Sequence, residues 1–201
     1  MKTFALIFLI LVVWSTGALA EQYSSPFGFS MNIPSHWLIV SAEEIRKNPD
    51  LFNFNKEVFK NVNPSMLEQI KEMIVSGRIE MFFNQKTADS SFNDNINVFK
   101  RTGQLPQNAS ESKKACDGLP GQLASAYGKP TKVYSCGTKK VSGLNALSTE
   151  FDGVVNGTRS ITYEIQKSPD IIIVLTATCK NKTLSIIKKE FEEMVTSIKI
   201  K

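Results

Sequence analysis

Four strand-like segments separated by turn residues occupy the last third of the chain and constrain its fold more than any other feature. The segments are residues 131–140, 144–155, 158–167 and 171–178. Three groups of turn residues separate them: Ser142-Gly143, Asn156-Gly157 and Ser168-Pro169-Asp170. Asn156-Gly157 predicts a tight type I′ hairpin, because Asn and Gly both tolerate the positive φ that this turn requires. The order predicts an antiparallel four-strand meander.

The fourth of these segments and the residues after it indicate how the sheet is covered. Residues 171–175 are apolar at every position, which favours a strand inside the sheet that is buried on both faces. The following segment predicts a helix on one of those faces, since its apolar residues recur at steps of three and four. These residues are Leu184, Ile187, Phe191, Met194 and Ile198.

Alternation and capping signals predict further elements before the meander. Residues 27–33 alternate apolar with small or polar side chains, as a half-buried strand does, and Pro34 ends that strand. Ser41 is a helix cap after a second strand at 37–40. Asn63 and Pro64 begin a longer helix, which is followed by two strands at 78–83 and 96–99.

Two segments give weaker local signals. Residues 48–63 are rich in Asn and predict an irregular insertion with one helical turn. Residues 111–127 predict a short helix, a break and a second helix ending at Gly128, because Gly118, Pro120 and Gly121 interrupt the helical pattern.

Two short motifs stand at the ends of this layout. Residues 27–37 read Phe-Gly-Phe-Ser-Met-Asn-Ile-Pro-Ser-His-Trp, and the final helix closes with Phe191 followed by Ser197 and Ile198. Both motifs resemble those of the PsbP-like domain family. The resemblance implies an α+β fold, an α/β/α sandwich whose central antiparallel sheet is covered by helices. The family includes photosystem II extrinsic proteins, a nuclear Ran-binding protein and small exported bacterial proteins, so the fold alone implies little about function. No functional residue is carried over from it.

The N-terminal residues have the pattern of a secretory signal peptide. Lys2 precedes an apolar run at residues 4–14, and small residues follow up to Ala20. We therefore expect residues 1–20 to be removed by cleavage between Ala20 and Glu21, leaving residues 21–201 as one globular domain that is secreted or periplasmic. We expect no transmembrane segment in the mature chain, because no later apolar stretch approaches the length that spans a bilayer.

The charge pattern argues against nucleic acid as a partner. The expected mature chain carries 23 basic and 19 acidic residues, and the basic residues are dispersed in pairs such as Lys113-Lys114 and Lys139-Lys140. Aromatic residues do not interleave with these pairs, as they do in a nucleic-acid platform. A solvated basic surface is the expected outcome.

Three cysteines in an oxidising compartment allow one internal disulfide. We expect it to link Cys116 and Cys136, because the segment containing Cys116 leads directly into the strand of Cys136. Cys136 and Cys179 lie on strands three apart in a simple meander, too far for the Cα spacing of a disulfide. A bond between Cys116 and Cys179 is the alternative.

Candidate catalytic residues are few, and no metal or cofactor motif accompanies them. Cys179 is the thiol left over, and we expect it to be a small buried hydrophobe at a strand end. His36 is the one imidazole, and we expect its ring to face solvent. Glu150 and Asp152 share a strand face, where we expect a hydrated surface rather than a hydrolytic pair. Glycosylation sequons begin at Asn108, Asn156 and Asn181, and we expect chance matches in an Asn-rich chain.

These observations favour an exported, non-catalytic binding or accessory protein whose partner is a protein or envelope component that the sequence does not identify. Two alternatives stay open. One is a secreted hydrolase or thiol enzyme that uses Cys179 or the Glu150 carboxylate. The other is a carrier of a lipid or small ligand, which needs a sizeable apolar cavity between sheet and helices.

Overall fold

The computed structural model describes residues 20–52, 64–89 and 92–201, which form two antiparallel sheets and four α-helices. The seven strands of the large sheet are β3 (Trp37–Val40), β4 (Ile79–Asn84), β5 (Asn95–Thr102), β6 (Val133–Val141), β7 (Leu144–Asp152), β8 (Thr158–Ser168) and β9 (Ile171–Lys180). The small sheet consists of β1 (Ala20–Ser25), β2 (Phe29–Pro34) and β10 (Lys199–Ile200). The helices are α1 (Ala42–Lys47), α2 (Pro64–Val75), α3 (Ala109–Tyr127) and α4 (Leu184–Thr196).

The strand order of the large sheet is β3-β4-β5-β9-β8-β7-β6, so the predicted meander of β6 to β9 is confirmed. Strand β9 lies between β5 and β8, and residues 172–175 are buried in succession. This confirms the interior strand expected from its unbroken apolar run. The α+β class is also confirmed.

Helix α4 and the small sheet cover one face of the large sheet. They enclose the main core, which includes Phe29, Phe82, Ile165, Leu175 and Phe191, all of them fully buried. The predicted apolar stripe of α4 supplies Ile187, Phe191 and Met194 to this core. Strands β1 and β10 were not predicted. They place both ends of the described chain beside β2.

Helices α1, α2 and α3 lie on the opposite face. Met81 and Phe83 point to this face because they flank Phe82 in β4, and side chains alternate along a strand. They pack against Ile45 of α1 and Ile74 of α2. The predicted cap of α1 is confirmed, since the Ser41 hydroxyl accepts a hydrogen bond from the Glu44 amide at 3.2 Å.

The type I′ turn lies at a different hairpin from the predicted one. Ser142 and Gly143 have φ values of 51° and 81°, and they join β6 directly to β7. The prediction of this turn at Asn156-Gly157 is wrong: of the two residues only Gly157, with φ of 79°, has a positive value. The Thr158 amide instead donates to the Val155 carbonyl at 3.2 Å, and one positive φ at the third position of that turn fits type II.

Two other segments also bear on the predictions. A 3-10 helix at Pro49–Phe52 supplies the expected helical turn of the 48–63 segment, while residues 53–63, including the predicted cap Asn63, lie outside the described residues. The predicted break within 111–127 is wrong, because α3 is continuous through Pro120 until Gly128 ends it with φ of 67°.

The expected signal peptide up to residue 19 also lies outside the described residues. Within the described ranges, no helix combines the length and the apolarity needed to cross a bilayer.

Candidate functional site

A groove of about 880 Å³ runs between α3 and the large sheet. Strands β7 and β8 form its floor, α3 forms one wall, and the segment 104–107 closes one end. The lining residues are Arg101, Gln104, Leu105, Pro106, Gln107, Glu111, Lys114, Ala115, Gly118, Leu119, Gln122, Leu123, Cys136, Leu147, Thr149, Phe151, Thr162 and Glu164.

The floor is apolar with two hydroxyl groups. Leu147, Thr149 and Phe151 face the groove because they occupy every second position of β7. Thr162 of β8 contributes the second hydroxyl, which shares a hydrogen bond of 3.0 Å with Thr176. The Tyr127 ring at the end of α3 lies 6.4 Å from that of Phe151, so the helix closes over this end of the floor.

Helix α3 is attached to the sheet by one disulfide and few buried side chains. Cys116 in the middle of the helix is bonded to Cys136 of β6, with Cα atoms 5.6 Å apart. This separation is ordinary for a disulfide. Only Ser112 and Leu123 are buried among the helix's side chains, and the helix packs chiefly against the edge strand β6. The gap that remains beneath α3 is the groove.

The rim of the groove carries charges of both signs. The Arg101 guanidinium pairs with the Glu164 carboxylate across β5 and β8, while Lys114 and Glu111 extend from α3. Glu111 also receives a hydrogen bond from the Gln107 amide at 2.8 Å. A balanced rim over an apolar floor suits an occupant with both apolar and polar groups better than it suits a simple ion.

The segment at the closed end is fixed by a single amide side chain. Gln166 accepts a hydrogen bond from the Leu105 amide at 2.6 Å and donates to the Gly103 carbonyl at 3.2 Å. Leu105 is buried against Ile172 and Val174 of β9. The segment 104–107 is therefore held by packing and hydrogen bonds, whereas α3 is held largely by a covalent bond.

The structure does not bring the two candidate residues of a thiol enzyme together. Cys179 is a fully buried free cysteine in the main core, as expected for a small hydrophobe. Burial raises the pKa of its thiol to about 12, which suppresses the reactive thiolate. The expected solvent-facing His36 is wrong: its side chain is 11% exposed, and its Nε2 lies 3.0 Å from Glu190. The same Glu190 oxygen accepts a hydrogen bond from the Trp37 indole at 2.9 Å. The imidazole is therefore one of the side chains that join the start of β3 to α4.

The expected hydrated surface at Glu150 is also wrong. Glu150 is 8% exposed and is bound by Arg159 at 2.7 Å and by Lys188 at 2.9 Å. Burial opposes ionisation, but the hydrogen bonds from Lys188 and Arg159 outweigh it and hold the pKa of this carboxyl below its usual range. Asp152 accepts a separate hydrogen bond from Tyr134 at 2.9 Å. Both carboxylates are thus engaged in ion pairs or hydrogen bonds of the fold.

Among the described residues, no group of three or more His, Cys, Asp and Glu side chains could hold a metal ion. The sequence singled out Cys136 as a disulfide partner and Gly118 as an interruption of α3, but it indicated no residue as part of a groove. The alternation of Leu147, Thr149 and Phe151 was readable, but nothing local indicated that α3 stands away from them.

This architecture, a seven-stranded antiparallel sheet with helices on both faces, defines a PsbP-like fold. The structure is similar to that of the cyanobacterial PsbP protein CyanoP from Synechocystis sp. PCC 6803, with a TM-score of 0.56 and 11% sequence identity over 93% of this chain and 96% of that one. The Ran-binding protein Mog1p of Saccharomyces cerevisiae gives a TM-score of 0.46 and 12% identity over 90% of this chain and 96% of that one. No protein-family model matches the chain, and no curated protein matches it by sequence. The resemblance in fold expected from the two end motifs is confirmed.

Proposed function

We propose that the protein is an exported, non-catalytic binding or accessory protein that holds a segment of a partner protein in the groove beneath α3. The observation that carries this proposal is the groove itself, which has an apolar floor and a charged rim. Of the candidate catalytic groups, Cys179 is buried away from the groove, and His36 and Glu150 are paired with other side chains. Apolar contacts would supply affinity, and the rim charges would orient the partner segment.

Export is the second part of the proposal. Residues 1–20 act as a signal peptide, cleavage between Ala20 and Glu21 releases residues 21–201 as one domain, and the protein is secreted or periplasmic. The disulfide supports this location, because such bonds persist in oxidising compartments. Cleavage after Ala20 removes the first residue of β1 and leaves residues 21–25 paired with β2. The intact mass of the protein recovered from its natural source tests this, and a mass that includes residues 1–20 would contradict export by this route.

A photo-crosslinking residue placed in the groove tests the binding part. We expect a crosslinker at Leu119, on the groove wall, to give a partner adduct of discrete mass in cells. The same crosslinker at Glu193, on the exposed surface of α4, is the comparison and should give none. Equal adducts at both positions, or no adduct at Leu119, would count against a partner in the groove.

The two central glycines of α3 offer a matched pair of variants. Gly118 lines the groove, whereas Gly121 does not. A Cβ at Gly118 would lie 3.6 Å from the side-chain nitrogen (Nε2) of Gln122, and a Cβ at Gly121 would meet no atom within 4 Å. Both positions therefore accept a side chain. We expect Gly118→Arg to abolish the Leu119 adduct and Gly121→Arg to retain it. The reverse result would place the partner on another surface.

The groove volume also favours a second candidate, a carrier of a small ligand, because binding sites for such ligands span roughly 300–1,000 Å³. Native mass spectrometry of the protein from its natural source distinguishes the two candidates. A bound small molecule that Gly118→Arg displaces would support the carrier, and an unliganded protein that still gives the crosslinked partner would support protein binding.

A further inference from the structure

Helix α3 has an interior that its own sequence does not stabilise. Gly118, Pro120 and Gly121 lie in the middle of the 19-residue helix, and Gly and Pro are the poorest helix formers. Proline at position 120 removes the backbone hydrogen bond to the carbonyl four residues earlier and crowds that carbonyl. The carbonyl belongs to Cys116, which is the residue that the disulfide joins to β6.

Non-covalent contacts add little to this attachment. The helix buries two side chains, Ser112 and Leu123, and its last turn contacts the Phe151 ring through Tyr127. By contrast, α4 buries Ile187, Phe191, Met194 and Val195 in the main core. The disulfide is therefore attached to the turn that contains the poorest helix formers, in a helix that buries fewer side chains than α4.

The disulfide is also reachable from the groove. Cys116 and Cys136 are half-buried, and Cys136 belongs to the groove lining. Cys179 is fully buried on the other face of the sheet and offers no competing thiol. A thiol reagent that enters the groove thus reaches this bond first.

We propose that the Cys116–Cys136 disulfide is a redox latch that keeps α3 helical and seated over the groove, and that its reduction releases α3 from a sheet that stays folded. The latch regulates the binding groove and in that respect rests on the proposed function. Opening requires a dithiol reductant. One thiolate of the reductant attacks a sulfur of the disulfide and forms a mixed disulfide, and its second thiol displaces the protein sulfur. The products are two protein thiols and one oxidised dithiol, so electrons and protons balance.

Hydrogen exchange measured by mass spectrometry tests the latch without any partner. The disulfide joins residues 20 apart in sequence, and losing a crosslink over that span raises the population of the open form about 200-fold in the loop-entropy description. We therefore expect dithiothreitol, or the double variant Cys116→Ser with Cys136→Ser, to speed exchange of the α3 amides by about that factor. Amides of β9, in the sheet interior, should change less than about twofold, because local opening leaves the core intact.

Two further variants make the test specific. Cys179→Ser keeps the disulfide and should leave α3 exchange unchanged in oxidised protein. Pro120→Ala restores the missing backbone hydrogen bond and should slow α3 exchange again in reduced protein. Unchanged α3 exchange after reduction would overturn the latch. An equal rise in α3 and β9 would overturn it too, since the disulfide would then hold the whole fold. Because exchange reports on α3 directly, failure to find a partner adduct at Leu119 would refute the groove's function and not the latch.

Discussion

The buried carboxyl of Glu80 joins β1 to the large sheet through hydrogen bonds from β1. The substitution Tyr23→Phe tests how much one of these hydrogen bonds contributes to stability. Glu80 is 2% exposed in β4. The hydroxyl groups of Tyr23 and Ser25 in β1 donate to its two oxygens at 2.5 Å and 2.7 Å. The Tyr23 ring also packs edge-on against Phe82 with centroids 5.5 Å apart, a contact that phenylalanine keeps. The substitution therefore removes the hydrogen bond to Glu80 and a weaker interaction of the same hydroxyl with Ser41, and it keeps the ring packing.

The expected cost follows from the charge on the acceptor. A hydrogen bond to an ionised group contributes about 1.5–3 kcal/mol, so we expect Tyr23→Phe to lower the free energy of unfolding by about 2 kcal/mol at neutral pH. For a chain of this length that corresponds to a fall in Tm of roughly 4–8 °C, measured by circular dichroism.

The cost should depend on pH in a defined direction. Burial raises the pKa of Glu80 above its ordinary 4.5, and the hydrogen bonds from Tyr23 and Ser25 partly offset that rise. A carboxyl whose pKa is higher in the folded state than in the unfolded state loses stability as pH rises through the interval between the two values. Tyr23→Phe raises the folded pKa further. The two proteins should respond alike to pH up to the folded pKa of Glu80 in the wild type. Above that pKa the variant should fall progressively below the wild type until its own, higher folded pKa is passed.

A double-mutant cycle supplies the control. In a Glu80→Gln background the acceptor is neutral, so the cost of Tyr23→Phe should fall to about 1 kcal/mol and lose its pH dependence. A cost below about 0.5 kcal/mol at neutral pH, or the same cost at pH 5 and pH 8, would refute the reasoning, since typical hydrogen bonds to charged groups contribute more.

Three further expectations concern buried charged groups and the free thiol. Lys180→Met should lower the free energy of unfolding in urea by about 3 kcal/mol, because the buried amine binds two backbone carbonyls besides Asp89. Lys182→Met should lower it by less than about 1 kcal/mol, because that amine, 3.0 Å from the same carboxylate, is exposed. Similar costs for both would contradict the role of burial. Glu150→Gln should lower the free energy of unfolding by about 2 kcal/mol at neutral pH. The difference from wild type should vanish in acid, as pH falls through the lowered pKa of Glu150. A difference that persists in acid would contradict a contribution from the ion pairs. Cys179 should react with a thiol reagent only after denaturation, and rapid labelling of the folded protein would contradict its burial.

Elements with a strong local pattern were the ones that the sequence predicted well. The continuous apolar run of β9 and the stripe of α4 encode their burial in consecutive residues, and the structure buries both. The Ser41 cap is likewise a contact between neighbours in sequence. Such features depend on the nearest few residues, so no knowledge of the rest of the chain is needed to find them.

Features that depend on distant partners were missed. Strand β1 has a polar sequence and exists through pairing with β2 and the bond from Tyr23 to Glu80, 57 residues away. His36 and Glu150 are polar residues whose burial is compensated by partners on α4, namely Glu190 and Lys188. A local sequence pattern predicts that such polar residues are exposed, because their partners are supplied only by the folded chain. The groove was missed for the same reason, since it lies between elements that are distant in sequence.

The two faces of the large sheet differ in how closely they are packed. The face covered by α4 and the small sheet holds side chains with almost no exposure, including Phe29, Ile187 and Phe191. The face beneath α3 leaves a groove, and α3 is held there by a disulfide and only a few buried side chains. Close packing resists change in volume, whereas an unfilled groove can accept an added group without repacking. Substitutions on the α4 face should therefore act mainly on unfolding, and those at Gly118 mainly on the occupant of the groove, which is why the Gly118 and Gly121 variants can test binding in a protein that remains folded.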